Sequence, residues 1–282
     1  MDSRDDKGKG AHGCADDPPS ASAIWRLDLA YEGTAYRGWA CQPGHRTVEG
    51  LLGEALATVL REPVRLSVAG RTDAGVHAWA QVASFVCARR DLRPDQVRLS
   101  LNALLPADIA VTAISPAPPG FVARRAVSRT YQYRLWLSPV KPVRDRAYVW
   151  NVRGAVDVVL LAEVAALLPG RRDFAALTPS AHLYHSCVRE VVNAGWAAAA
   201  EGGLPGRPRH QAAPPQGAEW VFTITAGSFL HHMVRVAVGS MVDVAQGRMT
   251  REEFAERLAA GERRRMGQTA PARGLALVAV AY

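Results

Sequence analysis

The feature that most constrains the fold is the order in which strand-like and helix-like hydrophobic patterns follow one another in the first half of the chain. Strict alternation of apolar and polar residues is typical of a half-buried strand, and a 3.6-residue repeat is typical of a helix. Thr47 and Pro94 stand where a cap and a first-turn proline would open the two helices. The six elements are predicted at residues 24–31, 48–60, 64–68, 79–87, 94–105 and 109–115. Their order, β-α-β-β-α-β, predicts a ferredoxin-like arrangement.

The second half repeats this order without visible sequence similarity. Its strands are predicted at residues 127–137, 187–197, 220–226 and 275–281, and its helices at 156–168, 229–246 and 250–259. The Gly- and Pro-rich stretch 198–218 is predicted to be a long exposed hairpin loop. We therefore expect an α+β fold of two ferredoxin-like halves, 24–120 and 121–282, which form a mixed, mainly antiparallel sheet. Helices are expected on one face of that sheet and a basic cleft on the other.

The charge of the chain favours a polyanionic partner. Residues 1–23 are small, polar and acidic, lack the apolar centre of a signal peptide and are predicted to be a disordered tail. The tail carries two net negative charges, so the body is more basic than the net charge of +8. Lys141 is the only lysine of the body, and arginine binds phosphate bidentately and stacks on bases. A GC-rich genome would also explain the preference for arginine over lysine, but not the net positive excess.

The sequence indicates neither a membrane protein nor a disulfide-stabilised protein. No apolar run reaches the roughly 18 residues of a membrane span. The cysteines are scattered and include no CxxC pair, so neither a disulfide framework nor a zinc site is predicted, and a cytoplasmic location is expected. They are Cys14, Cys41, Cys87 and Cys187.

The strongest candidate for a catalytic segment is AGRTDAGVHA at residues 69–78, between the second and third predicted strands. A glycine-bounded loop with a central Asp is most often simply a turn. The connection is longer than a tight hairpin needs, however, and Arg71 lies two residues from Asp73, where it could keep the carboxylate ionised. An ionised Asp on a loop over a sheet is a candidate nucleophile or general base.

The segment GRTDAGVHA resembles the catalytic motif of the TruA family of tRNA pseudouridine synthases. Other parts of the chain resemble the same family in the expected order, so the resemblance covers about residues 24–282. The matching segments are YEGTAYRGW at 31–39, NALLP at 102–106, SRTYQY at 128–133, FLHHMVR at 229–235 and GLAL at 274–277.

The resemblance implies a role for four residues. Asp73 would be the nucleophile, and Tyr131 would stack on the target base after it has flipped out of the RNA stem. Arg235 would pair with the Asp73 carboxylate, and Arg71 would fill the space that the base leaves. The implied reaction converts uridine to pseudouridine at positions 38, 39 and 40 of the tRNA anticodon stem-loop. A homodimer is implied, with tRNA as the partner and with no metal or cofactor.

Some alternatives stay open on the sequence alone. Tyr131 shares a predicted strand face with Tyr133 and Leu135, a pattern that favours a core position. His231 and His232 are adjacent, so they are not expected to face one metal together, and packing or RNA contact is the simpler interpretation. Two rival functions are a non-catalytic RNA-binding module and an Asp-dependent hydrolase, although the hydrolase would need a second carboxylate as general acid. Whether Asp73 attacks C6 of the base or abstracts a sugar proton is also open.

Overall fold

The computed structural model describes residues 23–88, 92–199 and 218–282, and these form ten strands and five α-helices. The predicted tail and nearly all of the predicted 198–218 loop lie outside the described residues. The strands are β1 (Ala23–Tyr31), β2 (Ser67–Val68), β3 (His77–Cys87), β4 (Ile109–Pro116), β5 (Ser128–Leu137), β6 (Trp150–Val152), β7 (Gly170–Asp173), β8 (Val188–Ala198), β9 (Ala218–Ala226) and β10 (Leu275–Ala281). The helices are α1 (Val48–Leu60), α2 (Pro94–Leu104), α3 (Val158–Ala165), α4 (Met233–Ala245) and α5 (Arg251–Ala260).

Local sequence explains where several helices begin. The Thr47 side chain accepts a hydrogen bond from the Gly50 N–H and caps α1, as the sequence predicts. Asp157 caps α3 in the same way. Thr250 and Glu253 form a reciprocal capping box at the start of α5. Such caps satisfy backbone donors that would otherwise lack partners at a helix start.

All ten strands belong to one mixed sheet. Eight follow the order β4-β1-β3-β10-β5-β9-β8-β7, with β2 beside β3 and β6 beside β5. The β3–β10 and β5–β6 pairs are parallel and the others are antiparallel. The predicted α+β class with a mixed, mainly antiparallel sheet is therefore confirmed. The last strand, β10, lies between β3 and β5 and joins them in one sheet.

One hydrophobic core lies between the helices and one face of the sheet. Alternate residues of β1, such as Leu27 and Leu29, and of β5, such as Tyr133, are fully buried in it. Buried side chains of all five helices belong to the same cluster. Within the described ranges, no helix is both long and apolar enough to cross a membrane. The division into two ferredoxin-like halves at residue 120 stays a prediction.

The clearest differences from the predicted elements are at β2, β6, β7 and α4. The second predicted strand, 64–68, is reduced to the two residues of β2. The strands β6 and β7 were not predicted; β7 has the sequence GRRD, is exposed throughout and is held by backbone pairing with β8, so it has no apolar alternation to detect. The helix predicted at 229–246 begins only at Met233, because His232 adopts a left-handed backbone conformation with φ 61°.

Candidate active site

The loop 69–76 between β2 and β3 is held by its neighbours on several sides. Gln81, which is fully buried on β3, donates its Nε2–H to the Gly70 carbonyl at 2.8 Å. The Trp39 N–H donates to the Thr72 carbonyl at 3.0 Å. The loop therefore has a defined position over the sheet.

The turn at Asp73 needs glycine at two places. The Val76 N–H donates to the Asp73 carbonyl at 3.1 Å, and Gly75 has φ 78°, which suits the third position of a type II turn. Gly38 of the preceding loop packs against the same backbone with φ 92°, and a Cβ there would lie 2.7 Å from the Thr72 carbonyl oxygen. Both glycines allow the close backbone packing that fixes Asp73.

The Asp73 carboxylate lies among three nitrogen-bearing side chains at the start of α4. The Nη1 of Arg235 is 3.7 Å from Oδ2, and the Nε2 of His232 is 3.5 Å from the same oxygen. The Nε2 of His231 is 3.7 Å from Oδ1. The carboxylate therefore faces the residues at the start of α4.

Two adjacent histidines face one carboxylate because the backbone is left-handed at His232. Their rings lie with centroids 3.9 Å apart. The His231 ring is anchored by Ser180, whose Oγ is 2.9 Å from Nδ1, and its backbone N–H donates to the Tyr184 hydroxyl at 2.9 Å. The expectation that the adjacent histidines would not face one metal together is wrong in geometric terms, since both rings offer a ligand atom beside Asp73. It assumed a regular backbone, and nothing in the residue types reveals the positive φ.

These side chains also form a possible metal-ligand set. Asp73, His231 and His232 each offer a ligand atom, and the three atoms lie within 4.8 Å of one another. The guanidinium of Arg235 would nevertheless stand beside any ion held there, and two cations on one carboxylate repel each other. The arrangement fits a carboxylate stabilised by Arg235 better than a metal centre. Burial lowers the pKa of His232 although the Asp73 charge opposes this, so a neutral imidazole is favoured at neutral pH.

Tyr131 belongs to both the core and the site. It is only 7% exposed, and Phe229 meets its ring edge to face at 5.0 Å. A Cβ added to Gly70 would lie 3.3 Å from the Tyr131 hydroxyl, so that hydroxyl lies directly beside the loop. It has no hydrogen-bond partner in the part of the chain that the structure describes. Burial, followed by the effects of Tyr31 and Asp73, raises the pKa of Tyr131 well above its ordinary value.

Arg71 does not hold Asp73. Its side chain is exposed, and it forms neither a hydrogen bond nor an ion pair with any described residue. The expected pairing of Arg71 with Asp73 is absent from the described residues, because two residues of separation in a loop do not direct two side chains toward each other. Arg235 faces the carboxylate instead.

His77, near the end of the motif, has a structural role. Its Nδ1 accepts a hydrogen bond from the Gly33 N–H at 3.0 Å, so the proton of the neutral ring is on Nε2. That Nε2 lies 3.0 Å from the Ala147 carbonyl and 3.1 Å from the Arg273 carbonyl. The ring also stacks on Trp79. Burial lowers the pKa of His77, which favours a neutral imidazole at neutral pH, and this ring ties three segments together.

The structure thus places a carboxylate on a fixed loop beside an arginine and two histidines, in a basic α+β protein. The family model described as tRNA pseudouridine synthase matches residues 29–124 and 164–282. The chain belongs to this family of isomerases, which act on uridine in tRNA.

Similar proteins span nearly the whole chain. A tRNA pseudouridine synthase A of Solidesulfovibrio magneticus is 42% identical over 91% of this chain and 90% of its own length. Proteins of the same name from Syntrophotalea carbinolica and Moorella thermoacetica are 39% and 36% identical, over 92% and 91% of this chain and 96% and 98% of their own lengths.

Proposed function

We propose that this enzyme converts uridine to pseudouridine in the tRNA anticodon stem-loop, at positions 38, 39 and 40, with Asp73 as the nucleophile. The observation that carries the proposal is the environment of Asp73. Its carboxylate lies on a fixed loop within 3.7 Å of Arg235 and within 3.5 Å of His232, in a basic protein of this family. A charged nucleophile in a partly enclosed site needs such compensation.

The reaction balances without any further reactant. The N1–C1′ bond of uridine breaks, the uracil ring turns, C5 bonds to C1′, and the proton on C5 is exchanged for one on N1. A base in a stem must first leave the stack, and the exposed side chain of Arg71, which pairs with no described residue, is suited to the gap that remains. Stacking of the base on Tyr131, whose hydroxyl lies beside the loop, would contribute about 1–3 kcal/mol. Arg235 is the arginine that faces the Asp73 carboxylate.

The nucleophile is tested by Asp73→Asn, which keeps the size of the side chain and removes its charge. We expect the rate of tritium release from C5-tritiated uridine in tRNA to fall by about 1,000-fold or more, because covalent catalysis needs the carboxylate. The tRNA Kd should change by less than about threefold, since phosphate contacts supply most of the affinity.

The matched control for this variant is Asp28→Asn. Asp28 on β1 forms its ion pair with Arg26 and not with the three side chains that face Asp73, so its loss should leave turnover unchanged. A turnover of Asp73→Asn within about tenfold of the wild type would remove Asp73 from the nucleophile role. Tritium release also separates the rival functions, because a binding module releases none and a hydrolase yields free uracil.

The excess of arginine supports a basic RNA-binding cleft around the site. Arg37 and Arg46 lie on the loop that packs on the Asp73 turn, and both are exposed. We expect the logarithm of the tRNA affinity to fall linearly with the logarithm of the salt concentration, because bound phosphates release counterions. A slope near zero would contradict the cleft. A homodimer acting in the cytoplasm completes the proposal, and light scattering of the purified protein tests the dimer.

A further inference from the structure

Arg129 is a buried arginine with an unusual set of partners. It is the second residue of β5 and only 7% exposed. All five of its N–H donors are used, and every acceptor is a backbone carbonyl. Nε and Nη2 donate to Ala69 at 2.8 and 2.6 Å, and Nη2 also donates to Arg124 at 2.7 Å. Nη1 donates to Ala126 at 2.6 Å and to Gly227 at 2.7 Å.

The charge of Arg129 has no carboxylate partner among the described residues. Burial lowers its pKa, but a guanidinium remains charged in proteins. Taking such a group out of water is costly unless every donor is satisfied, and here the carbonyl dipoles do so. A buried side chain with this requirement holds its carbonyls in one fixed arrangement. A lysine carries three donors on a single nitrogen and does not reproduce this planar fork.

Two of the four bound carbonyls belong to the two segments that build the site, and those of Arg124 and Ala126 lie just before β5. Ala69 is the first residue of the loop 69–76 that carries Asp73. Gly227 directly follows β9 and opens the six-residue connection 227–232, which ends in the histidine pair. We propose that Arg129 is a positioning residue that fixes the spacing of these two segments and thereby holds Asp73 against its partners at the start of α4. The inference rests on the proposed role of Asp73.

The distance between the two segments matters for catalysis because every side chain that faces Asp73 comes from the other segment. The distances of 3.5 and 3.7 Å to the imidazoles join residues 158 and 159 positions apart in the sequence, so nothing local maintains them. A misplacement of about 1 Å in an active site is enough for about a 100-fold loss of rate. A variant that frees the two segments should thus lose rate more than affinity.

The experiment compares Arg129→Lys with Arg134→Lys. Arg134 lies on the same strand and is equally buried, but it pairs with Glu219 on the opposite face of the sheet. Single-turnover tritium release is measured well below the melting temperature of each variant, together with the tRNA Kd. We expect Arg129→Lys to lose about 100-fold in rate with a Kd within about threefold of the wild type. Arg134→Lys should lower the melting temperature but leave the rate unchanged.

A second measurement separates positioning from general stability. Methylguanidinium at non-denaturing concentration should raise the rate of Arg129→Ala, whereas methylammonium should not, because only the planar fork bridges the carbonyls. A folded Arg129→Lys with the wild-type rate, or an equal loss of rate in both lysine variants, overturns the inference. If Arg129→Ala does not fold, the lysine pair decides alone. Activity of Asp73→Asn, measured in parallel, would overturn the proposed nucleophile; an inactive Asp73→Asn beside a fully active Arg129→Lys would overturn only the positioning role.

Discussion

Replacing Tyr131 by Phe removes only the hydroxyl, which has no hydrogen-bond partner among the described residues. The ring is buried in the core against Phe229, so Tyr131→Ala would remove packing worth about 3–5 kcal/mol and confuse folding with chemistry. The Phe variant keeps the ring. Since the hydroxyl makes no hydrogen bond within the described residues, its loss should change the free energy of unfolding by less than about 0.5 kcal/mol.

The same hydroxyl lies beside the loop that carries Asp73, where a bound base would meet it. Its raised pKa keeps it protonated at neutral pH, so it is suited to donate a hydrogen bond and not to act as a phenolate base. We expect Tyr131→Phe to bind tRNA with an unchanged Kd and to lose at least about tenfold in single-turnover tritium release, within the range of a lost acid–base contact. Thermal melting, filter binding and tritium release measure the three quantities.

Tyr133→Phe is the matched control, because Tyr133 lies on the same face of β5 and its hydroxyl does have a partner. That hydroxyl donates to the Pro271 carbonyl at 2.7 Å. Its removal should cost about 0.5–1.5 kcal/mol of stability and leave the rate unchanged. A Tyr131→Phe enzyme with the wild-type rate would refute the reasoning, since the ring face alone would then suffice.

Two further predictions concern residues that hold the loop in place. Gly38→Ala should destabilise the protein by about 1–3 kcal/mol and slow turnover, because φ is positive and the new Cβ would lie 2.7 Å from the Thr72 carbonyl oxygen. Gly44→Ala is the control: its φ is similar but the space around it is open, so it should cost only about 1–2 kcal/mol of stability with no loss of rate. Stability should fall as the pH drops below about 6.5, the ordinary pKa of histidine, because the pKa of His77 is lower in the folded state and the unfolded chain therefore binds more protons in that window. The loss should level off below the folded-state pKa. Urea unfolding of the wild type and His77→Gln across this pH range measures the effect, and equal pH dependence in both proteins would contradict it.

The elements that sequence predicts well are those whose signal is local. The first strand and first helix show clear hydrophobic periodicity, and the observed bounds of β1 and α1 agree with the predicted ones to within one residue. The strands β6 and β7 are short and depend on partners that are distant in the sequence. β6 pairs with β5, and β7 pairs with β8. Pairing of that kind leaves no periodic pattern in three or four residues.

At the candidate site, too, the sequence predicts poorly those contacts that depend on distant segments. The motif around residues 69–78 identifies Asp73, and resemblance brings in Arg235, which the structure places 3.7 Å from the carboxylate. Sequence proximity suggested Arg71 as the partner of Asp73, and the structure places that side chain in solvent instead. Which cation faces a carboxylate depends on the path of a distant segment, and that path is set by packing rather than by spacing along the chain.

The position of the histidine pair follows from a single backbone dihedral. In a helix that began at Phe229, His231 and His232 would point about 100° apart, and only one imidazole could face Asp73. The left-handed φ of His232 delays the helix to Met233 and turns both rings to the same side. A non-glycine residue in that region costs about 1–2 kcal/mol, so the surrounding contacts must enforce it. The hydrogen bonds of the neighbouring His231 with Ser180 and Tyr184 are such contacts. On the proposed positioning role of Arg129, its hydrogen bond to the Gly227 carbonyl restrains the other end of the same connection, so that both ends of the segment opposite Asp73 are held.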